Sequence, residues 1–170
     1  MMHTHDPERL KHKPEKVKVL FVGEAPAVGA RRFYLGNTNL FRTVKSAFAE
    51  LYGDFKSNEE FFGLFKSMGC YIDHLSTEPV NKEDMPARKL ARNAGISPLS
   101  ERLKIYQPEI VIILMKDLQK EVTSAVELSG IQSIKKMEAV PYPAGSDTNR
   151  KNCIMAIVAI LKNAEIIPED

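Results

Sequence analysis

Apolar residues follow two periods along this chain, and the alternation between those periods predicts the architecture. Short runs rich in apolar and β-branched residues occur at 17–22 (VKVLFV), 70–75 (CYIDHL), 110–115 (IVIILM) and 134–140. Each has the length of a strand, and the unbroken IVIILM run is what a strand buried on both faces of a parallel sheet requires. Between these runs the apolar positions recur at helical spacing. Leu40, Val44, Ala47, Phe48 and Leu51 form one stripe, Phe61, Phe62, Phe65 and Met68 a second, and Ile154, Ile157, Val158 and Leu161 a third.

Boundary residues sharpen these elements. Thr38 or Asn39 is placed to cap a helix ending near Tyr52-Gly53, and Ser57 to Glu60 has capping-box spacing for a helix over 58–68 that Gly69 closes. Ser97-Pro98 reads as a helix start, with Pro108 stopping that helix after Gln107. Residues 116–128 read as helical with Gly130 as the cap, and Asp147 or Thr148 opens the last helix. The polar stretch 76–95 is either a long functional loop or partly helical around 87–93. Strands alternating with helices imply right-handed parallel crossovers. The predicted fold is therefore α/β, a three-layer α/β/α sandwich with a central four-stranded parallel sheet.

A length of 170 residues with 44% apolar content suits one domain. The expected division is a flexible N-terminal tail over 1–16 and a single domain over 17–168. No apolar run approaches the roughly 20 residues of a membrane span. The opening MMHTHDPERLKHKPEK is polar and charged rather than signal-like, so a cytoplasmic, non-membrane protein is expected. Cys70 and Cys153 form no CxxC pair and read as reduced core thiols. His3, His5 and His12 have no second cluster to complete a metal site, so none is expected. The net charge of +2 leaves nucleic acid neither required nor excluded. Arg31, Arg32, Arg42, Lys135, Lys136, Arg150 and Lys151 lie near two loops, either as a basic rim or as ordinary solvated surface.

Those two loops are 27–38, after the first strand and the Gly23 to Pro26 segment that ends it, and 141–146, after the fourth. In an open parallel sheet, loops at the carboxyl ends of adjacent strands face one crevice. GEAPAVG lacks the GxGxxG spacing and no GxxxxGK[ST] occurs, so neither a dinucleotide nor a P-loop reading gains support.

Three segments, in order, carry a family likeness. Gly23-Glu24-Ala25-Pro26 resembles the GEAPG motif of thermophile-type uracil glycosylases, with Ala27 at the next glycine. The segment 33–41 (FYLGNTNLF) resembles the YYAxPxNxFW segment of mismatch-specific and hypoxanthine-DNA glycosylases. Pro141-Tyr142-Pro143-Ala144-Gly145 resembles the PNPSG closing motif of the mismatch-specific branch, and LKIYQPEIVIILMKDL at 103–118 is similar to the helix, strand and turn between them. The chain thus resembles the uracil-DNA glycosylase superfamily over roughly 17–162.

That resemblance implies a monofunctional DNA-repair hydrolase that cleaves the N-glycosidic bond of a deaminated base, uracil or hypoxanthine in class, flipped out of DNA. It implies DNA as partner and no cofactor. An iron–sulfur cluster, as some relatives carry, would need four cysteine ligands where two exist. Gly23, Ala25 and Pro26 would line the substrate site, and Tyr34 would stack the base, unless it is a core aromatic. Asn39 would read a base edge or hold water, and could also be a helix cap. Glu24 would act as general base or electrostatic support, or else bond loop amides, since the family's catalytic Asp or Asn position is Ala25. Asp73 is a second acidic candidate. Arg31, Arg32, Pro141, Tyr142, Pro143, Gly145, Ser146 and Arg150 would contact DNA, with Ser146 standing in for the serine that Ala144 replaces. Two alternatives stay open: a catalytically degenerate nucleic-acid or partner-binding module, and a nucleoside or nucleotide hydrolase using the same crevice. Oligomeric state is not legible.

Overall fold

The computed structural model describes residues 7–164. Four strands, β1 (Val19–Gly23), β2 (Cys70–His74), β3 (Ile110–Ile113) and β4 (Lys136–Ala139), form one parallel sheet in the order β2-β1-β3-β4. The register sets Val22 beside both Asp73 and Ile113, and Gly23 beside His74, so three carboxyl ends finish level. The helices are α1 (Pro7–Lys11), α2 (Asn39–Tyr52), α3 (Asn58–Ser67), α4 (Met85–Tyr106), α5 (Gln119–Ser129) and α6 (Asp147–Ala164). On one side of the sheet α4 packs on α5, and on the other α2 packs on α6. The result is the expected three-layer α/β/α sandwich.

The caps are local chemistry acting as expected. Thr38 accepts from the Phe41 N–H, Ser57 accepts from the Glu60 N–H, and Gly130 takes a left-handed conformation after α5. At the last helix the cap is Ser146, whose Oγ accepts from the Asn149 N–H, rather than Asp147 or Thr148. Cys70 and Cys153 are buried thiols, and burial pushes Cys153 up to about 12.

Two expectations are corrected. The helix expected to open at Ser97-Pro98 begins instead at Met85, capped by Asp84 on the Ala87 N–H, and runs unbroken through Pro98, so that 76–95 takes the partly helical of its two readings over a longer span than 87–93. Ala94 and Pro98 both face solvent, where water can take the Ala94 carbonyl that a proline four residues on leaves without a donor. Gly95 faces inward, and a Cβ there would sit 2.1 Å from the Leu75 carbonyl oxygen, so α4 crosses the end of β2 in backbone contact. The second correction concerns the N-terminal tail. From Pro7 onward it is ordered against the sheet edge, with Arg9 only 1% exposed, 3.3 Å from Asp73 and over the Tyr71 ring. His12 stacks on Tyr34 at 4.8 Å. His3 and His5 lie outside the described residues.

Candidate functional site

The connection from β1 leaves the sheet toward α2 and that from β3 toward α5, so these neighbouring strands diverge at their carboxyl ends. A crevice must open there. A cavity of about 190 Å³ fills it, built from Gly23 to Ala27 after β1, Leu114 and Met115 after β3, His74 at the end of β2 and Tyr142 after β4. The loop before α2 supplies Arg31, Arg32, Phe33 and Thr38, the first residue of α2 is Asn39, and the loop before α4 supplies Lys82. Glu24, Asn39 and Tyr142, separated by up to 118 positions in the chain, thus share one pocket with Gly23, Ala25 and Pro26 and basic side chains at its wall.

Asn39 is tied across the pocket. Its Nδ2 donates to the Pro143 carbonyl at 3.2 Å, joining the start of α2 to the closing loop, while Thr38 does the capping. Asn39 also lines the cavity, and no side-chain hydrogen bond among the described residues uses its Oδ1. Tyr142 is 43% exposed at the mouth, and Lys82 Nζ lies 5.8 Å over its ring, so the loops after β2 and β4 meet there.

Glu24 sits in a guanidinium clamp. Arg88 Nη2 reaches Oε1 at 2.7 Å and Arg88 Nε reaches Oε2 at 3.0 Å, while Arg92 Nε reaches Oε2 at 3.2 Å. Burial alone would raise the carboxyl. The hydrogen bonds and charges of Arg88 and Arg92 outweigh it and hold Glu24 below its ordinary range. A carboxylate so held is a weak base at neutral pH, and its charge is already more than balanced. The general-base reading of Glu24 is therefore not favoured by its surroundings.

Two expected site residues point elsewhere. Tyr34 is 3% exposed and its Oη accepts the Ile72 N–H at 3.1 Å, so it plugs the outer edge of β2. Phe33, its neighbour on the short 3-10 turn Phe33–Leu35, packs in the same aromatic cluster, against Tyr34, Phe41 and Phe65, and also lines the pocket. Asp73 is fully buried and held by Arg9, by Arg102 Nε at 2.8 Å and by the Tyr106 hydroxyl at 2.9 Å. Burial again pushes upward, but Arg9 and Arg102 keep Asp73 below its ordinary range, as an anchor for α1 and α4 rather than a pocket acid.

No family model matches the chain, and no curated protein matches it. The site stands on its geometry.

Among the proposed DNA contacts, Arg31 is exposed on the pocket wall. Arg32 curls back, its Nη1 donating to the Ala27, Gly29 and Arg31 carbonyls, which makes it a loop staple. Pro141 to Ser146 form the closing turn, with Pro143 buried, Gly145 at a φ of 97° and Ser146 capping α6. Arg150 reaches Ser46 on α2 at 3.4 Å. Lys135 and Lys136 lie at the amino end of β4, away from the pocket. Sequence reasoning missed His74, Lys82, Arg88 and Arg92. His74 could have been found from its place at the end of a strand, but the others sit in a stretch whose charges carry no period. Among the described residues no group of three or more His, Cys, Asp or Glu could hold a metal ion, and no helix is long and apolar enough to cross a membrane.

Proposed function

We propose that this protein is a DNA glycosylase that hydrolyses the N-glycosidic bond of a deaminated base held in the crevice between β1 and β3. The observation that carries the reading is the fixed orientation of Asn39. With Nδ2 committed to Pro143, the amide presents an acceptor, Oδ1, to the pocket. Uracil and hypoxanthine carry a ring N–H where cytosine and adenine carry a bare ring nitrogen. An acceptor fixed in place bonds the deaminated base and leaves a repulsive pair of acceptors with its parent.

The rest of the pocket suits that role. Phe33, Pro26, Leu114 and Met115 give apolar contact for a ring, and Tyr142 and Arg31 stand where the strand would enter. Glu24 with its two arginines leaves the wall with a net positive charge, which favours a base departing as an anion. Water then meets an oxocarbenium-like sugar, for which placement matters more than deprotonation. Duplexes carrying U·G, U·A, T·G or hypoxanthine, incubated with the protein and treated with alkali, test the reading. Breaks at the modified base support it, and intact strands from every duplex refute it.

A binding module is the second reading, favoured by the arginine clamp on Glu24 and by Ala25 and Ala144. Salt-dependent DNA binding with no base release would establish it. Release of base from a free nucleoside would instead point to a small-molecule hydrolase.

A further inference from the structure

The two edges of the sheet are finished differently. At the β2 edge, the Ile72 N–H donates to Tyr34 and its carbonyl accepts from Arg9, with α1 laid alongside. Among the described residues the β4 edge has no such plug. Lys136 and Val140 donate their N–H groups to Glu109 and Ile113 beside β3, so by the alternation of a strand the N–H and C=O of Met137 and Ala139 point outward. None of the hydrogen bonds among the described residues outside the regular elements reaches them. Next to this edge runs a groove of about 160 Å³ lined by Lys136, Glu138, Ala159, Ile160 and Asn163, with exposed Met155 one helical turn before Ala159.

We propose that β4 joins two copies of this chain, antiparallel about Met137, into a continuous eight-stranded sheet. Charge argues for a second copy rather than an unrelated strand. Lys136 and Glu138 flank Met137, project from the same face, are about half exposed and pair with each other at 3.3 Å. A two-fold axis through the Met137 pair sets Lys136 of each copy opposite Glu138 of the other, turning two ion pairs into one four-membered network. It also makes Met137 a hydrogen-bonded pair, exchanging both outward groups. Moving the axis one residue on, to Glu138, would oppose two like charges, so charge favours the Met137 register over that one. The sheets then run in opposite directions, which leaves the two crevices at opposite ends of the dimer and open. This inference is independent of the proposed chemistry.

Sedimentation velocity of the full chain from low micromolar to millimolar concentration tests it. A reversible monomer–dimer equilibrium is expected. Met137→Pro removes an outward N–H without touching the ladder to β3 and should abolish the dimer. Lys136→Glu and Glu138→Lys should each weaken it by about tenfold, whereas the double exchange K136E/E138K restores it and a mixture of the two single variants forms the heterodimer. Circular dichroism establishes that each variant is folded. A monomer at every concentration, or a dimer indifferent to these substitutions, overturns the proposal.

Discussion

Replacing Glu24 by Gln separates an anchoring role from a chemical one. The substitution keeps the size of the side chain and removes the charge that faces Arg88 and Arg92, leaving two guanidinium groups without their partner. Breaking a fully buried ion pair from one side costs about 3 to 5 kcal/mol. Here Arg88 and Arg92 keep 14% and 9% exposure, so water relieves part of the penalty and about 2 to 3 kcal/mol is expected. For a chain of this size that is a fall in Tm of about 4 to 12 °C, measured by thermal circular dichroism at neutral pH. The double variant E24Q/R88Q should lose less than the sum of the two single changes, because removing both partners leaves fewer stranded charges. The sign with pH follows from the depressed carboxyl: its contribution is complete above the ordinary carboxylate range and fades as pH falls through the folded value. The stability gap between wild type and E24Q should therefore close on acidification, while the contribution of Asp73, present in both, cancels. An E24Q protein that melts with wild type yet has lost base release would refute the anchoring role and make Glu24 a chemical group.

Gly95→Ala should lower the unfolding free energy by about 3 kcal/mol or more, seen as a lower urea midpoint with the slope unchanged, because its Cβ meets Leu75 backbone and α4 must move as a whole. Tyr34→Phe strands the Ile72 N–H and should cost about 1 to 3 kcal/mol in chemical denaturation while leaving base release at a permissive temperature intact; selective loss of release would return Tyr34 to the site. Asn39→Ala should reduce discrimination between uracil and cytosine, or hypoxanthine and adenine, by at least about tenfold in competition assays, since the fixed acceptor is gone. Arg9→Met should destabilise the protein and shift its acid unfolding, because Asp73 loses one of two arginines.

How far the sequence could be read depended on whether a feature repeats. The four strands, the caps at Thr38 and Ser57 and the apolar stripes of α2, α3 and α6 are periodic or local, and the parallel sandwich follows from them. The single helix α4 was hidden because Ser97-Pro98 is as good a start signal as Asp84-Met-Pro86, and only the contact of Gly95 with β2 shows that the chain is helical before it. Arg9, Arg88 and Arg92 escape a reading of the sequence, and Asp73 reads as a pocket acid, for one reason: a buried ion pair between residues more than 60 positions apart leaves no mark in either neighbourhood. At the site, loop motifs located the crevice through Glu24, Asn39 and Tyr142. They could not decide which of Phe33 and Tyr34 lines it, since both rings pack in one aromatic cluster and only the β2 edge, which claims the hydroxyl of Tyr34, separates them.

Mass-spectrometric detection of free base tests the central claim most directly, because it reads the cleaved glycosidic bond rather than a later strand break. Duplex and single-stranded oligonucleotides carrying uracil or hypoxanthine, and their cytosine and adenine counterparts, are incubated with wild-type protein and with Asn39→Ala and Phe33→Ala variants that retain their fold. Free uracil or hypoxanthine is expected from wild type, with little from either variant and none from the parent bases. Absence of free base from every substrate, or release that is unchanged in both variants, contradicts the assignment of this crevice.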